Sequence, residues 1–300
     1  MGSLVSPGWR RLEPDLFVER TYVQVLSKRM VHYMNLQVLS APKEGGTSPG
    51  GRFFVEALVR GLAVIRSFDE EHERLTVSEV ARRTALNRAT ARRFLLTLQT
   101  LGYVAGDGKY FWLTPKVLGL GHAYLSSTPL PRLLQPVLEQ VSEELRESCS
   151  ASILEGGEIV YIARAAARRV ISIGLGVGSH LPAYCTSMGR VLLAALEADE
   201  LRAYLETTPL VPLTPYTLTD PMQLKAELAQ VRAQGYALVD QELELGLRSI
   251  AVPVKNARGR VLAAMNVGVQ AGRVSKEEML ERFLPVLQRA AQSLTPSLGI

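Results

Sequence analysis

The sequence predicts an α+β protein in which a small helical domain precedes a larger domain of alternating strands and helices. Three observations support this prediction. Three hundred residues suffice for about two domains that each bury a core. Apolar residues recur at helical spacing between residues 75 and 101, whereas short apolar runs separated by turn residues prevail from residue 150 onward. Strands flanked by terminal helices are typical of an α+β domain with its helices gathered on one face of a sheet.

Charge is distributed unevenly along the chain. Residues 1–125 contain 17 Lys and Arg against 11 Asp and Glu, while residues 126–300 contain 17 against 18. The basic first part predicts a polyanionic partner, and the nearly neutral remainder should bind something else.

Composition excludes several classes of protein. Hydrophobic residues make up 47% and charged residues 21%, as in globular proteins. No apolar run is long enough to span a bilayer and the N-terminus lacks the apolar core of a signal peptide, so we expect a cytoplasmic protein. Two cysteines are too few for a disulfide framework or a thiol-based zinc site, and we expect neither a metal nor a cofactor.

The first 69 residues contain a variable segment and then a helix. Residues 41–51 are rich in Gly, Pro and Ser, so we predict that residues 1–51 form a flexible extension. An amphipathic helix is predicted over residues 52–69, and we expect it to pack behind the next two helices. Its predicted inner face consists of Phe54, Leu58, Leu62 and Ile65.

Two short helices joined by a tight turn are predicted next. Thr76 precedes Glu79 by three residues, which is the spacing of a capping box at a helix start. Residues 84–86 form the turn, Asn87 can cap the second helix and Gly102 ends it. The predicted inward-facing residues are Val77, Val80, Ala81, Ala91, Phe94, Leu95 and Leu98.

The outer face of these helices is basic. No Asp or Glu occurs between Val80 and Gly106, and the five cations in that interval are Arg82, Arg83, Arg88, Arg92 and Arg93. Such helices sometimes only keep a surface soluble, but unopposed cations also indicate phosphate binding. The hairpin turn Asp107-Gly108 follows, and two helices with a hairpin make a winged helix-turn-helix, whose second helix enters the major groove of DNA. We predict that residues 52–114 bind promoter DNA through Asn87, Arg88, Thr90, Arg92, Arg93 and Lys109.

A connector helix is predicted over residues 115–128. Its apolar residues could form a dimer contact or pack on their own domain, and both possibilities stay open. Pro129 and Pro131 indicate the domain boundary, so the second domain is predicted over residues 129–300. Helices are predicted there over residues 133–147, 186–196, 199–206, 220–234 and from Ser275; strands are predicted over 150–154, 159–163, 170–175, 236–239, 249–255 and 261–269.

Four segments carry a resemblance to a known family. They are LNRATARRFLLTLQTLGYV (86–104), LPAYCTSMGRVLLA (181–194), QGYALVDQELELGLRSIAVPV (234–254) and AAMNV (263–267). Over roughly residues 53–297 the chain resembles the IclR family of bacterial transcriptional regulators. The resemblance implies a winged helix-turn-helix, a connector helix and a GAF-like effector-binding domain. The sequence around Tyr184 resembles that of the branch which regulates aromatic-acid catabolism. Members of this branch respond to protocatechuate, 4-hydroxybenzoate, β-ketoadipate or related acids.

The loop that enters the helix near Thr186 is the first candidate for an effector site. Free N–H groups at a helix N-terminus can hold a carboxylate, so Thr186, Ser187, Met188 and Gly189 are candidate contacts. The family resemblance places its acid ligands at the matching loop. It further implies polar contacts from Asp240, Ser249 and Asn266, and an apolar wall from Val170, Ile173, Leu181, Leu247 and Val267. Each polar residue here has an alternative structural role, and core packing explains the apolar positions equally well. Gly268 departs from relatives that carry Ser, which would remove a ligand hydrogen bond.

The second domain also admits different functions. Cys185 with His180 as its base could be the nucleophile of an enzyme acting on a small carboxylic acid, although no catalytic motif supports this. The chain could instead be a repressor of another carbon pathway that senses an aliphatic acid, or an architectural DNA-binding protein without an effector. We favour a homodimeric or dimer-of-dimers regulator of aromatic catabolism, and an activator rather than a repressor.

Overall fold

The computed structural model describes residues 54–69, 71–167 and 175–299. The predicted extension over residues 1–51 lies outside the described residues. The same holds for all but the last residue of the strand predicted over residues 170–175.

The N-terminal domain has three helices and a small antiparallel sheet in the order β1-β3-β2. Its elements are α1 (Glu56–Arg66), β1 (Leu75–Thr76), α2 (Val77–Arg83), α3 (Arg88–Thr100), β2 (Val104–Gly106) and β3 (Tyr110–Leu113). Helix α2, the turn, helix α3 and the hairpin are the predicted winged helix-turn-helix.

Side-chain caps set the ends of α2 and α3. The Thr76 hydroxyl accepts the Glu79 N–H at 3.3 Å, and the Glu79 carboxylate accepts the Thr76 N–H at 2.8 Å, so the predicted capping box is confirmed. These hydrogen bonds hold the pKa of Glu79 below its usual range. The Asn87 side chain accepts the Thr90 N–H at 2.8 Å and begins α3. Gly102 follows α3 with φ +78°, a conformation that glycine adopts without strain.

Helix α1 packs on α3, but not through the predicted face. Its fully buried residue is Val64, with Ile65 half-buried against the same core. Phe54, Leu58 and Leu62 are 36%, 63% and 46% exposed, so their predicted burial within the domain is wrong. The helix carries apolar residues on two faces, and only one face can contact a core this small.

A 3₁₀ turn (Pro115–Val117) leads into the connector helix α4 (Leu118–Ser127). Only Thr128 separates α4 from α5 (Pro129–Leu145). The two prolines predicted to mark a boundary therefore lie in the first turn of a helix. Proline is tolerated there because the first N–H groups of a helix have no partner within it.

The second domain is built on a six-stranded antiparallel sheet in the order β6-β5-β4-β9-β8-β7. Its strands are β4 (Ser148–Glu155), β5 (Glu158–Ala165), β6 (His180–Pro182), β7 (Ala237–Asp240), β8 (Leu247–Lys255) and β9 (Val261–Gln270). Its further helices are α6 (Ser187–Ala194), α7 (Ala198–Thr207), α8 (Pro221–Gln234), α9 (Lys276–Glu278), continued by a π turn (Met279–Phe283), and α10 (Leu284–Leu294). Strand β6 was not predicted.

The two faces of this sheet have different chemistry. The apolar face carries Cys149, Ala151, Val252 and Met265, all buried against α5 and α10. The polar face carries the alternate residues of the same strands, and α6 packs on it. The residues of the polar face include Ser150, Ser152, Tyr161, Arg164, Leu181, Leu247, Ser249, Ala264, Asn266 and Gly268. Helices thus cover both faces, and the expectation that they gather on one face is wrong.

Candidate functional site

Helix α3 presents three exposed arginines. Arg88, Arg92 and Arg93 all lie in its exposed part, whereas Ala91, Leu95 and Leu98 are buried in the domain core. The Arg88 guanidinium donates to the Ser78 hydroxyl at 2.9 Å. This bond holds the side chain of Arg88 over the start of α2. The arrangement offers cations to a polyanion without disturbing the core.

One of the five predicted cations is not available to a partner. Arg83 forms an ion pair with Asp69, which also accepts a hydrogen bond from His72 at 2.7 Å. Burial alone would raise the pKa of Asp69, but the His72 hydrogen bond and the Arg83 charge together hold it below its usual value. The interpretation that all five arginines are unopposed is therefore wrong, because the opposing carboxylate of Asp69 precedes the interval from Val80 to Gly106.

The wing is held by a residue that sequence reasoning missed. Arg74 forms an ion pair with Asp107 at 2.9 Å, and its guanidinium lies 4.4 Å from the centroid of the Trp112 ring. The Asp107 carboxylate also accepts the N–H groups of Lys109 and Tyr110, at 3.0 and 2.8 Å. Lys109 itself is exposed at the tip of the turn. No local pattern reveals Arg74, because 33 residues separate it from Asp107.

Helix α6 begins at a cap that is fully internal. The Thr186 hydroxyl accepts the Gly189 N–H at 3.2 Å and lies 3.1 Å from the Pro182 carbonyl oxygen. All eight residues of α6 are buried. A Cβ atom on Gly189 would lie 2.1 Å from the Ala183 carbonyl oxygen, so only glycine allows this close approach. Thr186 and Gly189 therefore hold the loop against the helix.

Ser187 at the start of α6 has an unsatisfied polar atom. Its hydroxyl is buried and has no hydrogen-bond partner. A buried hydroxyl without a partner costs about 1–3 kcal/mol. Helix geometry also leaves the N–H groups of Ser187 and Met188 without partners inside the helix. This end of α6 can thus donate several hydrogen bonds to one anionic group.

The polar face continues from this helix end along β4. The Ser152 hydroxyl donates to the Met188 sulfur at 3.3 Å, which fixes the helix end above this strand. Ser150 lies two residues away on the same face and pairs with Asn266 of β9. Ser249 and Leu247 lie on this face in β8, next to Gly268 and Gln270 of β9. Leu181 of β6 pairs with Ile159 on the other side.

A buried ion pair fixes α6 from its other side. Arg190 is 2% exposed, and its guanidinium donates to the Tyr184 carbonyl at 3.0 Å and to the Glu242 carboxylate at 2.6 Å. The same carboxylate accepts the Leu218 N–H at 3.1 Å. Removing one partner would leave a buried charge unpaired, which is strongly destabilising. The network therefore anchors α6 to the loop between β7 and β8.

Two of the predicted effector contacts, Asp240 and Val267, do not join this group. Asp240 pairs with Arg248, whose neighbour in β9 is Val269 of the apolar face, and Val267 lies on that face as well. The Asp240 carboxylate accepts from Arg248 at 2.9 Å and pairs with Lys276 at 3.0 Å. A sheet turns successive side chains to opposite faces, so these two residues point away from α6. Val170 and Ile173 lie outside the described residues.

The proposed nucleophile and base are each engaged elsewhere. The Cys185 sulfur is fully buried and lies 3.8 Å from the Pro182 carbonyl oxygen, and burial raises the pKa of its thiol. The nearest carboxylate oxygen to His180 belongs to Glu158, at 3.3 Å. A buried thiol with a raised pKa is an inert structural group.

Ser150, Ser152 and Arg164 on the polar face were not predicted. The segment Ser-Cys-Ser-Ala-Ser (148–152) places serine at every second position. A period of two indicates a strand with one polar and one apolar face. That pattern was present in the sequence and could have identified these serines; the position of Arg164 depends on strand register.

Membrane spans and metal clusters are both absent from the described part of the chain. None of the helices there is both long and apolar enough to cross a bilayer. Among the same residues, no cluster of three or more His, Cys, Asp and Glu side chains could hold a metal ion.

Known protein families match both the helix-turn-helix and the second domain. Residues 57–108 match the model of the IclR helix-turn-helix domain, and residues 122–295 match that of the C-terminal domain of bacterial IclR transcriptional regulators. The chain is 51% identical to the Pca regulon regulatory protein of Pseudomonas putida, over 86% of this chain and 89% of that protein.

Solved structures of other proteins are also similar to this chain. A transcriptional regulator from Rhodococcus sp. RHA1 is 51% identical, with a TM-score of 0.74 over 82% of this chain and 98% of that one. An IclR homolog from Microbacterium hydrocarbonoxydans, solved in complex with 4-hydroxybenzoate, is 26% identical, with a TM-score of 0.69 over 81% of this chain and 98% of that one. The chain belongs to the IclR family of bacterial transcriptional regulators, and it is a regulator rather than an enzyme.

Proposed function

We propose that this protein binds promoter DNA through α3 and the wing, and that a small organic acid bound at the start of α6 controls its activity on genes of aromatic-acid catabolism. The observation that carries the effector site is the buried Ser187 hydroxyl, which has no partner at a helix N-terminus. The 4-hydroxybenzoate complex supports the class of ligand, and the Pca regulon relative supports the class of regulator.

The proposed effector site joins the helix end to the polar face. An acid carboxylate would accept hydrogen bonds from the Ser187 hydroxyl and from the first N–H groups of α6. Thr186 and Gly189 shape this end, and Met188 lines it. The body of the ligand would lie against residues of the polar face, namely Leu181, Leu247, Ser249 and Asn266.

The proposed DNA interface uses Arg88, Arg92 and Arg93 for bases and phosphates. Thr90 and Asn87 begin the same helix, and Lys109 reaches the backbone or minor groove from the wing. Cations that replace condensed counterions make binding dependent on salt. Because its partner is promoter DNA, we place the protein in the bacterial cytoplasm.

We further propose that the protein acts as a homodimer or a dimer of dimers. Apolar residues remain exposed on α1 and on the connector helix, and Leu118 of α4 is 74% exposed. Exposed apolar patches of this kind mark association surfaces. Two-fold association would place two recognition helices in successive major grooves. Effector binding would shift the balance between two arrangements by its differential affinity, and we favour activation as the outcome.

A pair of serine variants tests the effector site. In Ser187→Ala, loss of an unsatisfied buried hydroxyl should leave the ligand-free protein equally or more stable. Ser142→Ala is the matched control, because the Ser142 hydroxyl donates to the Glu147 carbonyl at 2.7 Å and its loss should destabilise the protein. Thermal unfolding would be measured with protocatechuate, 4-hydroxybenzoate, β-ketoadipate, pyruvate and glyoxylate.

Ligand at about 100 times its dissociation constant should add about 2.7 kcal/mol to the wild type. The Ser187 variant should lose much of this increment, and the Ser142 variant should keep it. Stabilisation by pyruvate or glyoxylate alone would replace the aromatic pathway with an aliphatic-acid pathway. Equal ligand increments in both variants would remove Ser187 from the site.

Arginine variants test the DNA interface. Arg92→Ala and Arg93→Ala should weaken promoter binding, and removal of each phosphate contact should reduce the slope of log K against log salt by about 0.9. Arg202→Ala in the second domain is the control, because Arg202 is exposed and pairs only locally with Asp199. Unchanged affinity and slope in both α3 variants would refute the assignment of α3.

A further inference from the structure

The hairpin of β2 and β3 has no net charge of its own. Residues 104–113 contain only two charged side chains, those of Asp107 and Lys109, which lie on either side of Gly108 at the tip. Both side chains are exposed. Such a tip gains little from a polyanion, because its carboxylate repels each phosphate that its ammonium group attracts.

The carboxylate of Asp107 shapes the turn at the tip. It accepts the N–H groups of Tyr110 and Lys109, at 2.8 and 3.0 Å. These hydrogen bonds hold the pKa of Asp107 below its usual range, so the group is ionised at neutral pH. The turn therefore keeps a negative charge, on a side chain that is 43% exposed, next to the lysine that we expect to reach DNA.

Arg74, the residue before β1, brings a cation to this carboxylate. Leu75 of β1 pairs with Phe111 of β3, which places Arg74 beside the hairpin. The Arg74 guanidinium donates to the Asp107 carboxylate at 2.9 Å and lies 4.4 Å from the centroid of the Trp112 ring. A guanidinium is planar, so its face can stack on a ring while its edge binds a carboxylate. The ring therefore holds the cation at the tip of the wing.

The second cation of the wing is directed elsewhere. The Lys109 ammonium group lies 5.0 Å from the centroid of the Tyr110 ring, and the Arg74 guanidinium lies 5.8 Å from the same ring. Arg74 thus carries the ion pair with Asp107, and the exposed ammonium group of Lys109 is left for an external anion.

We propose that Arg74 enables the wing to contact DNA by neutralising Asp107, so that the wing meets the phosphates with the positive charge of Lys109. This inference rests on the DNA binding proposed above, and it makes Arg74 a positioning residue of that interface. Charges within about 10 Å of a phosphate act on it at 0.1 M salt. Loss of the Arg74 cation would therefore restore the repulsion by Asp107, and loss of both groups would remove it again.

A double-mutant cycle tests the proposal. Fluorescence anisotropy would measure binding of the full chain to a labelled duplex of mixed sequence, because phosphate contacts carry no sequence information. At about 0.1 M salt Arg74→Met should weaken binding by about five-fold, the effect of two unit charges about 4 Å apart in water. Asp107→Asn should bind as tightly as the wild type or more tightly, since Asn-Gly also forms such turns. The double variant R74M/D107N should regain the wild-type affinity within about two-fold.

An exposed ion pair of the second domain provides the matched control. Arg202 and Asp199 of α7 are 65% and 86% exposed. Arg202→Met, Asp199→Asn and their combination repeat the same charge changes there, and all three should bind the duplex within about two-fold of the wild type. Arg74→Lys keeps the charge and should retain most of the affinity. Each difference within the Arg74 cycle should shrink as salt rises from about 0.05 to 0.3 M, because screening weakens charge effects and leaves a structural loss unchanged.

The outcomes separate this inference from the DNA binding on which it rests. If Arg92→Ala and Arg93→Ala weaken binding but Arg74→Met does not, the role of Arg74 is refuted while the interface at α3 stands. If R74M/D107N binds as weakly as Arg74→Met, or if the deficit persists at high salt, Arg74 acts only as a structural support and its charge role is refuted. If the wild type binds neither this duplex nor promoter DNA, both proposals fail.

Discussion

Helix α6 approaches the preceding loop so closely at Gly189 that a substitution there tests the packing of α6 on Ala183. In Gly189→Ala the new Cβ would lie 2.1 Å from the Ala183 carbonyl oxygen and 2.4 Å from its Cα. Ordinary van der Waals contact begins at 3.4 Å, so the two segments must separate by about 1.3 Å. All the atoms in conflict belong to the backbone, and α6 is buried along its whole length. No side-chain rotation can relieve the overlap.

Overpacking of this kind typically costs 1–3 kcal/mol, and the rigid contact places this substitution at about 3 kcal/mol. For a domain of 150–250 residues, that loss should lower the thermal midpoint by about 6–12 °C. Differential scanning fluorimetry would measure it. Gly272→Ala is the matched control, because a Cβ there meets no atom within 4 Å and should change the midpoint little. A midpoint for Gly189→Ala equal to that of the control would show that α6 does not pack on Ala183.

Three further predictions concern caps, pH and thiols. Thr76→Ala should speed amide exchange at Glu79 by about five-fold, because loss of an N-cap costs about 1 kcal/mol, and unchanged exchange would contradict the capping box. Burial alone would raise the pKa of Asp240, but hydrogen bonds from Arg248 and Lys276 outweigh it and hold the pKa below its usual value. This carboxylate therefore stabilises the fold above its unfolded pKa, and the effect is lost as pH falls. Urea unfolding should show a deficit in Asp240→Asn at pH 7 that shrinks toward acid; a constant deficit would rule out the charge as its cause. Burial raises the pKa of both thiols, so Cys149 and Cys185 should react with a disulfide reagent only on unfolding, and rapid labelling of the native protein would disprove their burial.

Local signals in the sequence predicted the ends of α2 and α3 in the N-terminal domain. The capping box at Thr76, the Asn87 cap and the Gly102 stop each act over three or four residues, so a linear pattern contains all the information that they require. The same holds for the predicted start of a helix near Thr186, whose side chain caps α6. Such features are short-range and depend little on the rest of the fold.

Contacts between distant segments could not be predicted in this way. The ion pair between Arg83 and Asp69 changes which arginines face a partner, and it joins residues 14 positions apart. Asp240 appeared as an effector contact by resemblance, but the register of β7 on β8 sends its side chain to the opposite face. A one-residue difference in position along a strand decides between the two faces, so a motif alone cannot assign the side chain.

The contrast between the two faces of the sheet explains how one domain can combine a stable core with the proposed effector site. On the apolar face, Val252 and Met265 fill the space against α5 and α10, and their burial provides the hydrophobic stabilisation. On the polar face, Ser150, Ala264 and Gly268 are small, and Met188 at the start of α6 contacts Ser152. The unsatisfied Ser187 hydroxyl costs stability, and a carboxylate bound at the proposed effector site would remove that cost. Because alternate residues of the same strands form the two faces, a substitution on the polar face can alter the proposed effector site without altering the apolar core behind it.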